Sequence, residues 1–140
     1  MRSNPYRAYV EDEILTADPV KLVQMLYRGA MEAVADARAK LAMGDIKGRS
    51  AAVTKAVEIL AELSSSLDHE RGGELSASLA ALYDFAQRRL LAGNQEQADR
   101  PLAEAGRVLE TLGEAWMGLA VPSPGRAAGQ PERVPLSCAY

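Results

Sequence analysis

Apolar residues recur along this chain at steps of three and four. That spacing gathers side chains on one face of a helix and differs from the strict alternation of a half-buried strand. Leu22, Leu26, Ala30, Ala33, Ala37 and Leu41 make the first stripe. It is announced by Thr16-Ala17-Asp18-Pro19, where Asp18 suits an N-cap and Pro19 the first helical position. Gly44 is placed to end it. Asp45 opens a second stripe of Ile46, Val53, Val57, Leu60 and Leu67, widened by Ala56 and Leu63. The run His69-Glu70-Arg71-Gly72-Gly73 is expected to break the pattern, because paired glycines favour turns. A third stripe carries Leu75, Leu79, Leu82, Ala86 and Leu90 and is expected to end near Gly93-Asn94. In the fourth, Ala98, Leu102, Ala105, Leu109, Leu112, Trp116 and Leu119 alternate steps of four and three throughout, the seam of a helical bundle. Pro101 falls in its first turn or just before it.

Four helices joined by short connections predict an all-α fold, an antiparallel four-helix bundle over 18–120. The segment 1–17 contains Tyr6, Tyr9, Val10, Ile14 and Leu15, too apolar for an idle leader. It reads as an arm or short helix docked on the bundle, either completing the core or covering a displaceable surface. From Val121 the periodicity stops. Pro122, Pro124, Gly125, Gly129, Pro131 and Pro135 argue against a helix, so 121–140 is expected to be a disordered tail rich in proline and glycine.

Composition narrows the class further. The chain has 140 residues, enough for one core. Its aromatic share of 5% leaves alanine and leucine to form the interior, which favours helices over strands. A net charge of -3 gives no global attraction to nucleic acid. No apolar run approaches the length of a membrane span, and no secretory leader is evident, so a cytoplasmic protein without direct membrane insertion is expected. The single cysteine, Cys138, has no internal partner, which fits a reducing compartment.

Catalytic and cofactor chemistry finds little support. A di-iron bundle needs carboxylates with Glu-x-x-His pairs, and the chain has one histidine. His69 and Cys138 cannot make a zinc site, and phosphate-cradling or nucleophile-elbow motifs are missing from the sequence. No cofactor and no enzymatic activity are expected. His69, followed by Arg71, Gly72 and Gly73, raises a histidine phosphotransfer bundle as an alternative. The histidine of such domains lies mid-helix, however, and this one stands beside a glycine turn. Arg88 and Arg89 point about 100° apart on a helix and so form no single basic surface. A solvated face or a pairing with Asp84 or Glu62 is the expected role, ahead of nucleic acid contact.

A binding role draws on apolar positions outside the seams. Ile59 and Leu63 on the second helix and Val108 and Met117 on the fourth broaden their stripes, and Tyr83 sits beside the seam position Leu82. Apolar surface beyond what the core needs marks a partner site, here one suited to an amphipathic helix. The ordinary alternative is a wide core face. A helical adaptor for another client is a second functional reading.

Several local motifs in register resemble the flagellin export chaperone family (FliS) of the bacterial flagellar type III secretion system. They are Asn4-Pro5-Tyr6-Arg7-Ala8-Tyr9; Thr16-Ala17-Asp18-Pro19 with Leu22 and Met25-Leu26-Tyr27-Arg28-Gly29-Ala30; Leu67-Asp68-His69-Glu70-Arg71-Gly72-Gly73-Glu74-Leu75; Leu82-Tyr83-Asp84-Phe85 with Arg88-Arg89-Leu90; and Trp116 late in the last helix. The resemblance spans about 4–119 and leaves the proline-rich stretch without a counterpart. It implies a bundle that binds the C-terminal segment of flagellin in the cytosol, prevents premature polymerisation and presents the client to the cytosolic domain of the export gate. It also implies that Tyr6 and Tyr9 contribute to client or gate binding. Together with Ile59, Leu63, Tyr83, Val108 and Met117 they form the candidate contact set.

Overall fold

The computed structural model describes residues 19–119 and 136–140. The arm 1–17, with Tyr6 and Tyr9, and the stretch 120–135 lie outside the described residues. Four α-helices follow one another: α1 Pro19–Met43, α2 Ile46–Ser65, α3 His69–Glu96 and α4 Asp99–Met117, with a short 3-10 helix at Leu136–Ala139. Among the described residues every regular element is helical.

The connections are two or three residues long, which forces each helix to turn back along its predecessor. Contacts between helix ends show the antiparallel order. Arg49 near the start of α2 donates to the Asn94 side chain near the end of α3 at 2.7 Å. Gln24 near the start of α1 donates to the Trp116 carbonyl at the end of α4 at 2.6 Å. Arg38 and Asp99 pair between the end of α1 and the start of α4 at 2.8 Å. The helices pack in a ring, α1 on α2, α2 on α3, α3 on α4 and α4 back on α1.

Local chemistry sets the turns. Gly44 adopts φ +74, and the N–H groups of Gly44 and Asp45 return to the Leu41 and Lys40 carbonyls, closing α1 with a left-handed cap. The Asp45 carboxylate then accepts from Gly48 N–H at 2.9 Å and starts α2. Asp68 does the same for α3 through Arg71 N–H at 2.9 Å. Because of that cap, His69 begins α3 and the expected break over 69–73 shrinks to one residue. Only Gly73 leaves helical geometry, at φ 51 and ψ -123, one turn into the helix.

α3 also runs on to Glu96, past the expected stop at Gly93. Gly93 is helical and buried, and its missing side chain is what lets α4 approach. A Cβ there would lie 2.7 Å from Leu102 Cδ2 and 3.1 Å from the Ala98 carbonyl.

The core collects Leu26, Ala30, Ala33 and Ala37 of α1, Val53, Ala56, Leu60 and Leu63 of α2, Leu79, Ala86 and Leu90 of α3, and Leu102, Ala105, Leu109 and Trp116 of α4. Two seam assignments change. Ile46 is 59% exposed, because it is the first residue of α2 and lies at the end of the bundle. On α3 the core position is Tyr83, fully buried, while Leu82 is 37% exposed. The steps Leu79, Tyr83, Ala86 and Leu90 keep the three-and-four spacing, so the phenol sits in the bundle and the leucine flanks it.

The other correction concerns the expected tail. Its last five residues are not loose: Leu136–Ala139 forms the 3-10 helix, Ala139 is fully buried, and Leu136 and Tyr140 pack against the core. The contacts that hold them include a backbone hydrogen bond from Asp68 N–H to the Ala139 carbonyl at 2.7 Å, a phenol pair and an aromatic edge.

Candidate functional site

Two features stand out among the described residues. The first is a groove between α3 and α4. Leu82 and Phe85, three residues apart on α3, meet Val108, Thr111 and Leu112 of α4, with Glu104 and Arg107 at the rim. Its volume is about 370 Å³. Leu82 and Phe85 are 37% and 38% exposed, so they contribute apolar area to solvent that no described element covers. Arg89 of α3 pairs with Glu104 of α4 at 2.6 Å and ties the two walls together. A second, more polar groove of about 470 Å³ lies on the other side of α4, between α1 and α4, lined by residues including Met31, Arg38, Arg107 and Glu110. α4 therefore has an open furrow along each flank.

The second feature is an aromatic cluster at the end of the bundle where α1 begins and α4 finishes. Tyr27, Tyr83 and Trp116 meet there, with ring centroids 6.2 Å apart for both Tyr27–Tyr83 and Tyr27–Trp116. The Tyr27 and Tyr83 hydroxyls share a hydrogen bond of 2.5 Å, and Tyr83 shares another with Tyr140. Tyr140 lies edge-on to Trp116, with ring centroids 5.5 Å apart. Burial pushes the ionisation of all three phenols well above the ordinary tyrosine range, and each of Tyr27 and Tyr83 is raised further by its phenol neighbour. They are neutral hydrogen-bonding groups at any physiological pH. The buried Trp116 Nε1–H has no hydrogen-bond partner among the described residues.

The expected contact residues divide between these settings. Val108 lines the α3–α4 groove. Met117 is half-buried near the end of α4, and its sulfur accepts from Arg28 at 3.7 Å. Ile59 and Leu63 are buried at 3% and 0% exposure, and Tyr83 belongs to the aromatic cluster. These three face the interior in this structure. Leu82, Phe85 and Leu112 are the groove residues that the stripe pattern hid, since it had placed Leu82 and Leu112 in the seams.

Of the two arginines, Arg88 pairs with Asp84 along α3 at 3.0 Å, as expected, and Arg89 reaches Glu104 where Glu62 had been the other candidate. His69 is exposed at the first position of α3, at an end of the helix and not within it. No helix of the described residues is long and apolar enough to cross a membrane.

Comparison with known proteins bears on what this arrangement serves. Residues 2–123 match the family described as Flagellar protein FliS. The chain is 37% identical over 108 residues to the flagellar secretion chaperone FliS of Salmonella typhimurium, covering 76% of this chain and 80% of that protein. It is 34% identical over 113 residues to the flagellar secretion chaperone FliS of Bacillus subtilis, covering 81% and 84%. With the flagellar secretion chaperone FliSB of Pseudomonas aeruginosa it shares 32% over 110 residues, covering 79% and 87%.

Proposed function

The chain belongs to the FliS family of flagellar secretion chaperones, which are not enzymes, and from that premise we propose that it binds the C-terminal segment of flagellin in the cytoplasm. Binding keeps the client from polymerising prematurely, and the complex is handed to the cytosolic domain of the flagellar export gate.

The observation that carries this reading is the α3–α4 groove. Leu82, Phe85, Val108 and Leu112 offer a strip of apolar surface flanked by charge at Glu104 and Arg107. A helix with apolar residues at three- and four-residue steps would bury its stripe there and leave its polar face in water. Burial of that kind needs no nucleotide, metal or turnover. Val108 is the contact expected from sequence that lines this strip. Tyr6 and Tyr9 are assigned to client or gate binding in the same proposal, and Met117 to the margin of the site.

Calorimetry with the C-terminal segment of flagellin tests the reading. One-to-one binding with a large negative heat-capacity change is the expected result, because apolar burial is coupled to folding of the client. Absence of binding by the folded chain would redirect the function to a different helical client, as in the adaptor alternative.

A further inference from the structure

The aromatic end of the bundle is already filled by a piece of the chain itself. We propose that this end is a peptide-binding notch, and that Leu136–Tyr140 is its exchangeable intramolecular occupant.

The notch recognises backbone as well as side chain. Asp68 N–H lies beyond the last turn of α2 and has no helical carbonyl to pair with, and it donates to the Ala139 carbonyl at 2.7 Å. The Ser76 hydroxyl stands 3.0 Å from the Asp68 carbonyl and 3.4 Å from that of Ala139, able to donate to either. Gly72 lets the segment lie flat on α3: a Cβ there would come within 3.0 Å of Ala139 Cα and collide with the Ser76 hydroxyl. The Tyr140 ring is then received by the face of Trp116 and the hydroxyl of Tyr83. A peptide with a small residue followed by an aromatic one is the ligand these groups select.

The lining also has contacts of its own: Tyr27, Tyr83 and Trp116 touch one another, and the helices that carry them pack on one another. Its floor is polar: Ser76 is fully buried and two phenol hydroxyls meet there. Leu136–Tyr140, moreover, lies beyond the region 2–123 that matches the family. The bundle common to the family does not include it.

Few anchors hold the segment. Ala139 is fully buried, whereas Leu136, Cys138 and Tyr140 are half-buried and Ser137 is exposed. Burial of one ring and one methyl group, with two or three hydrogen bonds, is similar in size to the entropy of ordering five residues. Docked and released states are therefore close in free energy, and a second peptide of the same chemistry competes.

The experiment uses the full chain carrying Tyr140→Ala or, separately, Ala139→Arg, and a synthetic peptide of residues 134–140 under reducing conditions. Trp116, the only tryptophan, reports on the notch by fluorescence. Each variant should remain helical and show altered emission. Added peptide should bind both variants saturably and restore the emission, about two-fold or more tightly than it binds the unaltered chain, whose notch is filled for part of the time. The same peptide with its tyrosine replaced by alanine should not bind. Failure of the peptide to bind either folded variant, or equal binding to variants and unaltered chain, would overturn the proposal. Neither outcome depends on whether flagellin is the client.

Discussion

The hydroxyls of Tyr27 and Tyr83 meet at 2.5 Å inside the bundle, joining α1 to α3, two helices that are not neighbours in the ring. Both side chains are fully buried. Each hydroxyl satisfies the other in surroundings that offer little water, so the pair couples the two diagonal helices in a way that apolar packing alone does not. Tyr83 also shares a hydrogen bond with Tyr140, so it is the central member of a row of three.

Removing one hydroxyl from the row strands its partner. Tyr83→Phe should cost about 1–3 kcal/mol, and more than Tyr27→Phe, because Tyr83 takes part in both bonds. The double variant leaves fewer orphaned groups than the two single ones do together. It should therefore be less destabilised than their sum by about 1 kcal/mol. Urea denaturation of the four chains measures this. Additivity within a few tenths of a kcal/mol would mean that the hydroxyls act independently.

The same row sets an alkaline limit. An unfolded tyrosine ionises near pH ~10, whereas burial holds the ionisation of Tyr27, Tyr83 and Tyr140 above that range in the folded chain. Below the unfolded value both states keep these protons, and stability is independent of them. Above it the unfolded chain releases protons that the native chain retains, so stability falls as pH rises. Denaturation midpoints should be insensitive to these groups up to about pH 10 and drop beyond it. Tyr27→Phe/Tyr83→Phe should drop less steeply. An unchanged slope in that variant would place the alkaline transition elsewhere.

What the sequence makes legible, and what it hides, follows from the range of the forces involved. Capping by Asp45 and the positive-φ glycine at Gly44 depend on neighbours within a few residues, and both stand as expected. The α4 seam is equally local, since Leu102, Ala105, Leu109 and Trp116 all enter the core. Periodicity fixes a stripe only to within one residue, and on α3 that residue matters. Tyr83 sits in the core with Tyr27 and Tyr140 as partners for its hydroxyl, and Leu82 flanks it in the groove. Such partners are 56 and 57 positions away and leave no periodic trace. Docking of Leu136–Tyr140 is hidden for the same reason. Its anchors are one small residue and one ring in a stretch whose prolines and glycines argue for disorder, and its receptor is assembled from Asp68, Gly72, Ser76, Tyr83 and Trp116 on three segments of chain. Ile59 and Leu63 broaden their stripe, but toward the core, not toward solvent.

That division between groove and core gives the last prediction, because affinity and stability should separate. Phe85 is 38% exposed and Val108 lines the same groove, so an aspartate at either position puts a charge on the apolar strip while disturbing few buried contacts. Phe85→Asp and Val108→Asp should each weaken binding of the flagellin segment by at least ~10-fold, equivalent to about 1.4 kcal/mol, with melting temperatures lowered by only a few degrees. Ile59→Ala should do the reverse. It empties a site that is 3% exposed, and should cost about 2–5 kcal/mol of stability. At a temperature where that variant remains folded, its affinity should stay within about two-fold of the unaltered chain, a difference of roughly 0.4 kcal/mol. Calorimetry and thermal denaturation on the same three variants read both quantities. Should Ile59→Ala lose affinity while the groove variants keep it, the client contact would lie on the α2 face, and the α3–α4 groove would have to be given up as its site.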